Sequence, residues 1–435
     1  CRRSPCQAFP EKPQADGAGG TGTPDDEDRF KFIMKADPRE ANELGRRGPN
    51  PIVFGALKGQ GSAELRPTLE RFDAWLQAYG ETSWDHQSYF AGPVGRRAKG
   101  LYYRNKALGV VAVAPMIFSE AFFPPARRLF WKKQRFPIAD AHYAMGFSML
   151  AKATGDERYL ARATHFLEVL EATRSPGYAH YGWGYPFDWV TRNGVMTAGT
   201  PLITSTPYVW EAFEAVHNLN GRERWQSVLA SIAEHAFNDI PDREIEPGVT
   251  TAGYNPVDNV GLVVNASAYR AFLLTAASVR FGREDYRAAA EGNLRFVLGA
   301  QKADGSWPYA VDGVRDFVDH FHTCFVMKAL AKIDALIDHT GCREAIERGA
   351  AFYVDHLFDE NGCPRPFAVA PRLTVYKNEL YDYAECLNLC TLLLGRYERL
   401  DQRLDSTLED FFARWIKPDG SFRSRRLMLG WDLSL

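Results

Sequence analysis

Thr154-Gly155-Asp156-Glu157-Arg158-Tyr159 is the stretch that decides the fold, because variants of it recur along the chain. Two further copies are NGRERW at 220–225 and FGREDY at 281–286, and a degenerate copy is TGCREA at 340–345. A fifth turn, which lacks glycine, is LDQR at 400–403. In the clear copies a glycine follows an apolar run and precedes charged residues, as where one helix ends and another begins directly. The sequence therefore predicts a series of helical hairpins.

The copies recur about every 60 residues, which is longer than the roughly 34 to 47 residues of common two-helix solenoid repeats. Each unit has room for a helix, a tight turn, a second helix and a long loop. The helix before a turn is apolar nearly all round, as in 269–279. The helix after it carries one apolar stripe, as at Tyr159, Ala163 and Phe166. We expect the first helix of each pair in a buried inner ring and the second outside it.

Counting the two kinds of helix predicts the architecture. Six of each make an all-α (α/α)6 toroid of about six helical hairpins over 65–435. The missing inner helix is either 65–79 or lies beyond Leu435. No alternation of strands and helices is evident, which disfavours doubly wound and TIM-barrel folds. We place inner helices at 138–154, 206–219, 261–280, 318–339 and 378–399, and outer helices at 105–121, 156–173, 222–238, 283–300, 342–357 and 402–415.

The N-terminal residues differ from the rest. Residues 1–28 are rich in Gly, Pro and acid, which predicts a disordered tail, and residues 29–64 read as an irregular segment. Seven cysteines in so long a chain do not make a disulfide scaffold. No run approaches the roughly 18 apolar residues that a membrane span needs. We expect a cytoplasmic protein, while Cys1 leaves open a lipidated or periplasmic one, or a fragment boundary.

Net charge and composition limit the classes of molecule that the chain is expected to bind. The 435 residues include 52 Lys and Arg and 54 Asp and Glu, for a net charge of −2. This balance argues against nucleic acid or an anionic membrane as the main partner. Aromatic residues make up 13% of the chain, which indicates either a large core or a carbohydrate-binding surface. The motifs for nucleotides, zinc proteases and serine hydrolases are absent, and we expect no cofactor.

Polar residues cluster at the predicted start of every inner helix and in the loop before it. Helix capping explains one polar residue per helix but not two or three, so we expect a shared pocket at one mouth of the ring; capping alone is the alternative. Carboxylates and imidazoles are the usual acids, bases and nucleophiles of sugar chemistry. The candidate catalytic residues are Asp188, Asp319, His320, His322, His142, Asp382 and Glu385.

Aromatic residues are frequent in the loops that lead to these helices. Flat aromatic faces beside Asp, Asn and His suit sugar rings, which offer C–H faces and hydroxyl edges. The alternative is that these aromatics only plug the loops against the ring. We expect substrate contacts from Trp183, Tyr185, Trp189, Arg192, Thr206, Tyr208, Asn255, Asp258, Asn265, Trp307, Tyr309 and Tyr381.

The residue types leave the reaction open. A glycosidase needs two carboxylates separated by roughly 5 to 9.5 Å. A lyase or epimerase acting beside a uronate carboxyl would use His or Tyr as acid and base, with Arg192 as the clamp on the carboxylate. The run Asp319-His320-Phe321-His322 invites a metal hypothesis. In a helix its two histidines point apart, so we expect no metal there, although an extended turn would allow one.

Three segments carry a family resemblance: GWGYPFDW at 182–189, PLITSTPY at 201–208 and DHFHT at 319–323. They resemble uncharacterised bacterial (α/α)6 proteins of polysaccharide biosynthesis, of the VpsJ type, which occur with exopolysaccharide and capsule genes. The resemblance covers roughly 100–430. More distantly, the architecture is similar to that of unsaturated glucuronyl hydrolases, uronate C5-epimerases and chondroitin-type lyases.

The resemblance implies a carbohydrate-active protein. It would bind a poly- or oligosaccharide in the central cleft and cleave or modify it as a hydrolase, lyase or epimerase during exopolysaccharide or capsule synthesis. Other polysaccharide-synthesis proteins are then implied as partners. The alternative, from another class, is a non-catalytic glycan-binding or scaffold component of a synthesis complex.

Overall fold

Long helices alternate with loops through the residues that the computed structural model describes, which are 60–192, 194–258, 260–371 and 374–432. The predicted tail over 1–28 and most of the segment over 29–64 lie outside these residues. Residues 60–64 of that segment are helical rather than irregular, because the first described helix begins at Gln60. Among the described residues, no helix is both long and apolar enough to cross a membrane.

The helices and strands have the following bounds. The helices are α1 (Gln60–Tyr79), α2 (Ser88–Ala91), α3 (Pro93–Arg104), α4 (Lys106–Phe122), α5 (Arg127–Phe130), α6 (Pro137–Thr154), α7 (Glu157–Ala172), α8 (Thr206–Asn220), α9 (Glu223–Glu234), α10 (Val264–Phe281), α11 (Glu284–Gly299), α12 (His320–Ile337), α13 (Thr340–His356), α14 (Leu380–Leu392) and α15 (Glu398–Arg414). Short strands lie in the loops: β1 (Trp189–Thr191), β2 (Gly194–Met196), β3 (Asp242–Glu246), β4 (Val249–Ala252), β5 (Val318–Asp319), β6 (Phe367–Val369), β7 (Tyr376–Glu379), β8 (Arg425–Leu427) and β9 (Trp431–Asp432). They pair antiparallel as β1–β2, β3–β4, β5–β6 and β7–β8–β9.

The inner ring consists of α6, α8, α10, α12 and α14, each packed against the next. A tight turn follows each inner helix, and the outer helix after the turn runs back along it. Successive inner helices therefore run in the same direction, and their N-terminal ends meet at one face. We call this face the ring mouth. The predicted all-α (α/α)6 toroid is confirmed.

Helix α1 is an outer helix. It packs against α15 on one side, and on the other Asp73 pairs with Arg162 of α7 at 3.3 Å. Of the two alternatives for the sixth inner helix, these contacts do not support 65–79. The expected outer helix at 105–121 forms as α4, but its main contacts are with α3 and the short turn after it. It stands outside the outer ring, and Val111 and Phe118 remain exposed.

Glycine ends three inner helices as the sequence predicts. Gly155, Gly221 and Gly282 have φ angles of +70°, +63° and +65°. Each backbone N–H donates to the carbonyl four residues earlier, at 2.8 to 2.9 Å. This left-handed conformation is available to glycine without a Cβ clash, and it reverses the chain in very few residues.

The last two turns differ from the prediction. Asp338 takes the left-handed conformation after α12, with φ +52°, while Gly341 lies inside α13. Asp tolerates this region better than most residues do. The predicted fifth turn at 400–403 lies within α15, and the chain reverses earlier, where Gly395 has φ +76°.

A buried ion-pair network joins α4 and α5 to the C-terminal strands. Arg127 of α5 is completely buried, and its Nη2 lies 2.6 Å from a carboxylate oxygen of Asp432 and 3.1 Å from Glu120. Arg425 contacts Glu120 at 2.8 Å and Glu379 at 2.7 Å. Because these charges lie away from water, each depends on its partners for stabilisation.

We expect the Arg127→Met variant to lower the free energy of unfolding by about 3–5 kcal/mol, because it leaves buried carboxylates without their cation. Chemical denaturation measures the loss. Arg66→Met is the matched control: Arg66 pairs with Glu70 on the surface, and its loss should change stability far less. Equal effects of the two substitutions would contradict the role of the network.

Candidate active site

The first turn of α12 holds an Asp–His pair. Asp319 caps the helix, with Oδ1 accepting a hydrogen bond from the His322 backbone N–H at 3.0 Å. Its Oδ2 lies 2.6 Å from Nδ1 of the same histidine. Asp319 is buried, whereas the His322 side chain keeps 19% of its surface exposed. Since Nδ1 donates to the carboxylate, Nε2 is the ring nitrogen left to face the ring mouth, and it has no protein partner among the described residues.

His320 points the other way. Its Nδ1 lies 3.2 Å from the carbonyl oxygens of Leu357 and Arg365, and its Nε2 accepts from the Tyr353 hydroxyl at 2.7 Å. It is fully buried between α12 and α13. This geometry does not support the catalytic role predicted for His320, and His320 and His322 do not converge on a common metal position.

A second histidine comes from α6. Nδ1 of His142 donates to the carbonyl of Ile138 at 2.7 Å, which leaves Nε2 as the free ring nitrogen. The ring lies against Tyr208 with centroids 4.6 Å apart. Burial lowers the pKa of His142 below its usual value near 6.5, so the ring is neutral at pH 7. A neutral imidazole with a free nitrogen is a competent general base.

Aromatic rings connect the two histidines. Tyr208 contacts Phe325 at 6.4 Å between centroids, and Phe325 contacts His322 at 5.6 Å. The Tyr208 hydroxyl also lies 2.6 Å from that of Tyr269. A chain of ring contacts through Tyr208 and Phe325 therefore links His142 of α6 to His322 of α12.

Two further predicted acids lie below this site. Glu385 of α14 is buried against Lys328 of α12, with Nζ and Oε2 2.6 Å apart. Asp382 is completely buried and lacks a hydrogen-bond partner in the described structure. Burial raises its pKa well above the usual 3.8, so it is a neutral acid. Neither residue offers the site a free carboxylate.

Sequence reasoning missed Lys328. The signal that could have found it is a single cation, Lys328, within the otherwise apolar run 324–331 of an inner helix. An isolated charge is rarely buried without a partner. Glu385 and Lys328 act electrostatically on His142 in opposite directions, so the pair adds little net charge beside the base.

Three predicted polar residues shape loops at the ring mouth. Asp188 pairs with Arg96 and accepts from the Ala198 backbone N–H at 3.0 Å, which holds the β1–β2 hairpin. Asp258 accepts from the backbone N–H groups of Tyr254 and Val260. The Asn255 side chain accepts from Val257 within the same loop.

Several predicted substrate contacts are buried. Trp183 and Trp307 lie in the core, and their indole N–H groups donate to the carbonyls of Leu170 and Val297 at 2.8 and 3.0 Å. The Thr206 hydroxyl donates to the carbonyl of Leu202 in the loop before α8, and Asn265 is buried. The geometry does not support sugar stacking by either tryptophan.

Other aromatics do reach the mouth. Tyr309 stacks on Phe317 at 4.8 Å and meets His322 edge-on at 4.7 Å. Tyr381 is about one-third exposed and packs against Phe321. These rings surround the histidine in the manner expected of a sugar site, and Phe317 was missed by sequence reasoning although it lies in the same loop as Tyr309.

The remaining predicted contacts lie on the β1–β2 side. Tyr185 stacks in parallel on Phe187 with centroids 5.4 Å apart, and Trp189 lies beneath the ammonium of Lys99. Arg192 is exposed at the hairpin turn. The structure therefore divides the predicted residues between the histidine site, the loops that border it and the core beneath it.

Among the described residues, His86, Glu120 and Asp432 bring possible metal-ligand atoms within 4.8 Å of one another. Arg127 and Arg425 already neutralise these carboxylates. The group belongs to the ion-pair network of the fold rather than to the ring mouth.

Comparisons with known proteins identify the fold. No protein-family model matches the chain, and no curated protein matches it. Solved structures do: a sugar epimerase from a ruminal bacterium, with TM-score 0.51 and 14% identity, covers 68% of this chain and 80% of its own. A D-mannose isomerase has TM-score 0.50 and 13% identity, with 68% and 82% covered. The GH76A α-1,6-mannanase of Salegentibacter sp. HEL1_6 has TM-score 0.50 and 11% identity, with 67% and 82% covered. At these identities the similarity establishes the toroid fold.

We expect His142 to titrate below pH 6.5, because burial of its ring, which lowers the pKa, outweighs the hydrogen bond from Nδ1 to the Ile138 carbonyl, which raises it. NMR of ¹⁵N-labelled histidine measures this directly, and the signal that disappears in His142→Gln identifies the residue. A titration midpoint at or above 6.5 would show that the site is more hydrated than the structure indicates.

Proposed function

We propose that this chain is a carbohydrate-processing enzyme that epimerises or isomerises a sugar by moving a proton at the carbon next to a carbonyl. The observation that supports it is the pair of histidines at the ring mouth. His142 and His322 come from different inner helices, each has Nδ1 tied by a hydrogen bond, and each leaves Nε2 for the substrate.

The chemistry needs a base and an acid. In an open-chain aldose, a base takes the proton from C2, and the C–H electron pair moves into the C1–C2 bond while the carbonyl oxygen gains a proton from an acid. Return of a proton to the other face of C2, with loss of the proton on O1, gives the epimer. Its return to C1, with loss of the proton on O2, gives the ketose. His142 suits the base because burial keeps it neutral, and His322, whose ring is held at Nδ1 by the Asp319 carboxylate, suits the acid.

The positions of the carboxylates favour this reaction over glycoside hydrolysis. A glycosidase needs two free carboxyl groups across the scissile bond. Here Asp319 is bound to a histidine, Glu385 to Lys328 and Asp188 to Arg96, while Asp382 is sealed in the core. A sugar epimerase and a sugar isomerase are also among the solved structures of similar fold.

The substrate class is a further part of the proposal. We infer that the sugar is a unit of an oligo- or polysaccharide of surface-glycan synthesis, because segments 182–189, 201–208 and 319–323 resemble proteins of exopolysaccharide biosynthesis. Tyr309 and Tyr381 would provide stacking faces for it. A glycan-binding protein without catalysis is the second candidate, favoured by the same aromatic mouth.

Solvent exchange tests the reaction. Incubation of the protein in D2O with aldoses and β- and α-linked disaccharides should place deuterium at C2, read by ¹H NMR. Loss of a general acid or base typically costs about 10²- to 10⁴-fold, so His142→Gln and His322→Gln should each slow exchange by that order. His356→Gln, at an exposed histidine of an outer helix, is the matched control.

Two outcomes would count against the proposal. Undiminished exchange in both histidine variants would remove these residues from the mechanism. Glycan binding by calorimetry, with no exchange or cleavage of any sugar by the unmodified protein, would favour the binding protein instead.

The Asp319→Asn variant distinguishes a role of Asp319 in positioning His322 from a role in binding the sugar. Asparagine can still cap α12 through its side-chain oxygen, but its amide nitrogen cannot accept the hydrogen bond that Nδ1 of His322 donates to Asp319. We expect kcat to fall on the order of 10²-fold or more, with little change in KM, as when a catalytic histidine loses its carboxylate. A change in KM alone would show that Asp319 only shapes the sugar site.

A further inference from the structure

A second cavity lies between the segment before α6 and the loop after α7. Its volume is about 390 Å³, towards the lower end of the range of about 300–1,000 Å³ for small-molecule sites. Lys132, Lys133 and Arg135 line one side, and Thr173, Ser175 and Tyr185 line another. None of the catalytic histidines lines it.

The cationic side of this cavity is held in place. Gln134 forms backbone hydrogen bonds with Ser83 in both directions at 2.9 Å, and its side chain donates to the carbonyl of Pro186 at 2.6 Å. Lys133 lies 3.6 Å above the centroid of the Tyr79 ring. These contacts fix the backbone that carries the lysines.

The three cationic side chains of the cavity differ in whether a carboxylate pairs with them. Arg135 already binds Asp140 at 2.9 Å and Glu81 at 2.6 Å. Lys132 is exposed and forms no ion pair among the described residues. Lys132 and Lys133 therefore give the cavity positive charge that no described carboxylate balances, which favours an anion.

Ser175 provides an independent indication of a ligand. Its side chain is only 4% exposed, and its hydroxyl has no hydrogen-bond partner among the described residues. Leaving a buried hydroxyl unpaired costs about 1–3 kcal/mol. Its backbone N–H is bonded to the Gly182 carbonyl at 2.9 Å, so the residue is fixed by its main chain. Ser175 lines the cavity, and a rotation of its buried hydroxyl towards an acceptor oxygen bound there would satisfy it.

We propose that this cavity is a binding site for an anionic sugar, through a carboxylate or phosphate group held by Lys132 and Lys133. The Ser175 hydroxyl donates a hydrogen bond to the ligand, and the Tyr185 ring gives its sugar an apolar face. Neither His142 nor His322 lines the site, and its occupation does not depend on the reaction proposed at the ring mouth.

Calorimetry and thermal unfolding of the full chain test the site, with glucuronate, glucose 6-phosphate, inorganic phosphate and glucose at constant ionic strength. We expect glucuronate or glucose 6-phosphate to bind and raise Tm, and glucose to do neither. Lys132→Ala/Lys133→Ala should weaken binding at least tenfold. Lys302→Ala/Lys377→Ala, which removes two exposed lysines elsewhere, is the matched control.

Ser175→Ala distinguishes a ligand contact from a structural role. Removing an unpartnered buried hydroxyl should leave the Tm of the free protein unchanged or higher, while affinity for the anionic sugar falls about tenfold. Unchanged affinity would contradict the predicted hydrogen bond.

Other outcomes overturn the proposal as a whole. The first is that neither glucuronate nor glucose 6-phosphate binds. The second is that the lysine variant and its control bind the anionic sugar with equal affinity. The third is that inorganic phosphate binds as tightly as glucose 6-phosphate. The last result would mean an anion site without sugar recognition. Because these are binding measurements, they stay informative even if no sugar is turned over at the ring mouth.

Discussion

A residue in the left-handed backbone conformation reverses the chain after each inner helix, and the rest of the structure depends on that reversal. Gly155, Gly221 and Gly282 let the outer helix return beside the inner one, so the next inner helix starts at the same face as the last. Residues near the beginning of α6 and α12 then meet although they are far apart in sequence. The histidine site is a consequence of that shared direction.

Burial and ion pairing determine which ionisable groups at the ring mouth remain available for chemistry. The protein places many ionisable groups near one another, but most of them are matched: Glu385 with Lys328, and Asp188 with Arg96. The imidazoles of His142 and His322 are each tied at one nitrogen and unpaired at the other. A site of this kind orients proton transfer while adding little net charge, which suits a neutral or weakly charged sugar.

The helices could be predicted from sequence more fully than the site. Hydrophobic periodicity and glycine turns located all five inner helices, because both signals are local. These local signals could not assign the helix at 65–79 to the inner or the outer ring, because an apolar stripe does not identify the helix that it packs against. Asp338 replaced the expected glycine because the left-handed region is open to Asp at modest cost.

For the site, sequence placed Asp319, His322 and His142 at the correct helix ends but could not separate them from His320 or Asp382. The difference between these residues is which way each side chain leaves its helix and what it then meets. Trp183 and Trp307 illustrate the same limit, since their loop positions matched a sugar platform while their rings pack into the core.

The two faces of the toroid differ in a way that bears on how such proteins diverge. Around Gly155, Gly221 and Gly282 there is open space and almost no loop, so that face has few segments able to contact a ligand. The long connections, with their small sheets, lie at the opposite face beside the histidines. Insertions and deletions in most of those connections would reshape the ring mouth while leaving the helical frame intact. The strands β7, β8 and β9 are the exception, because they carry Glu379, Arg425 and Asp432 of the buried ion-pair network.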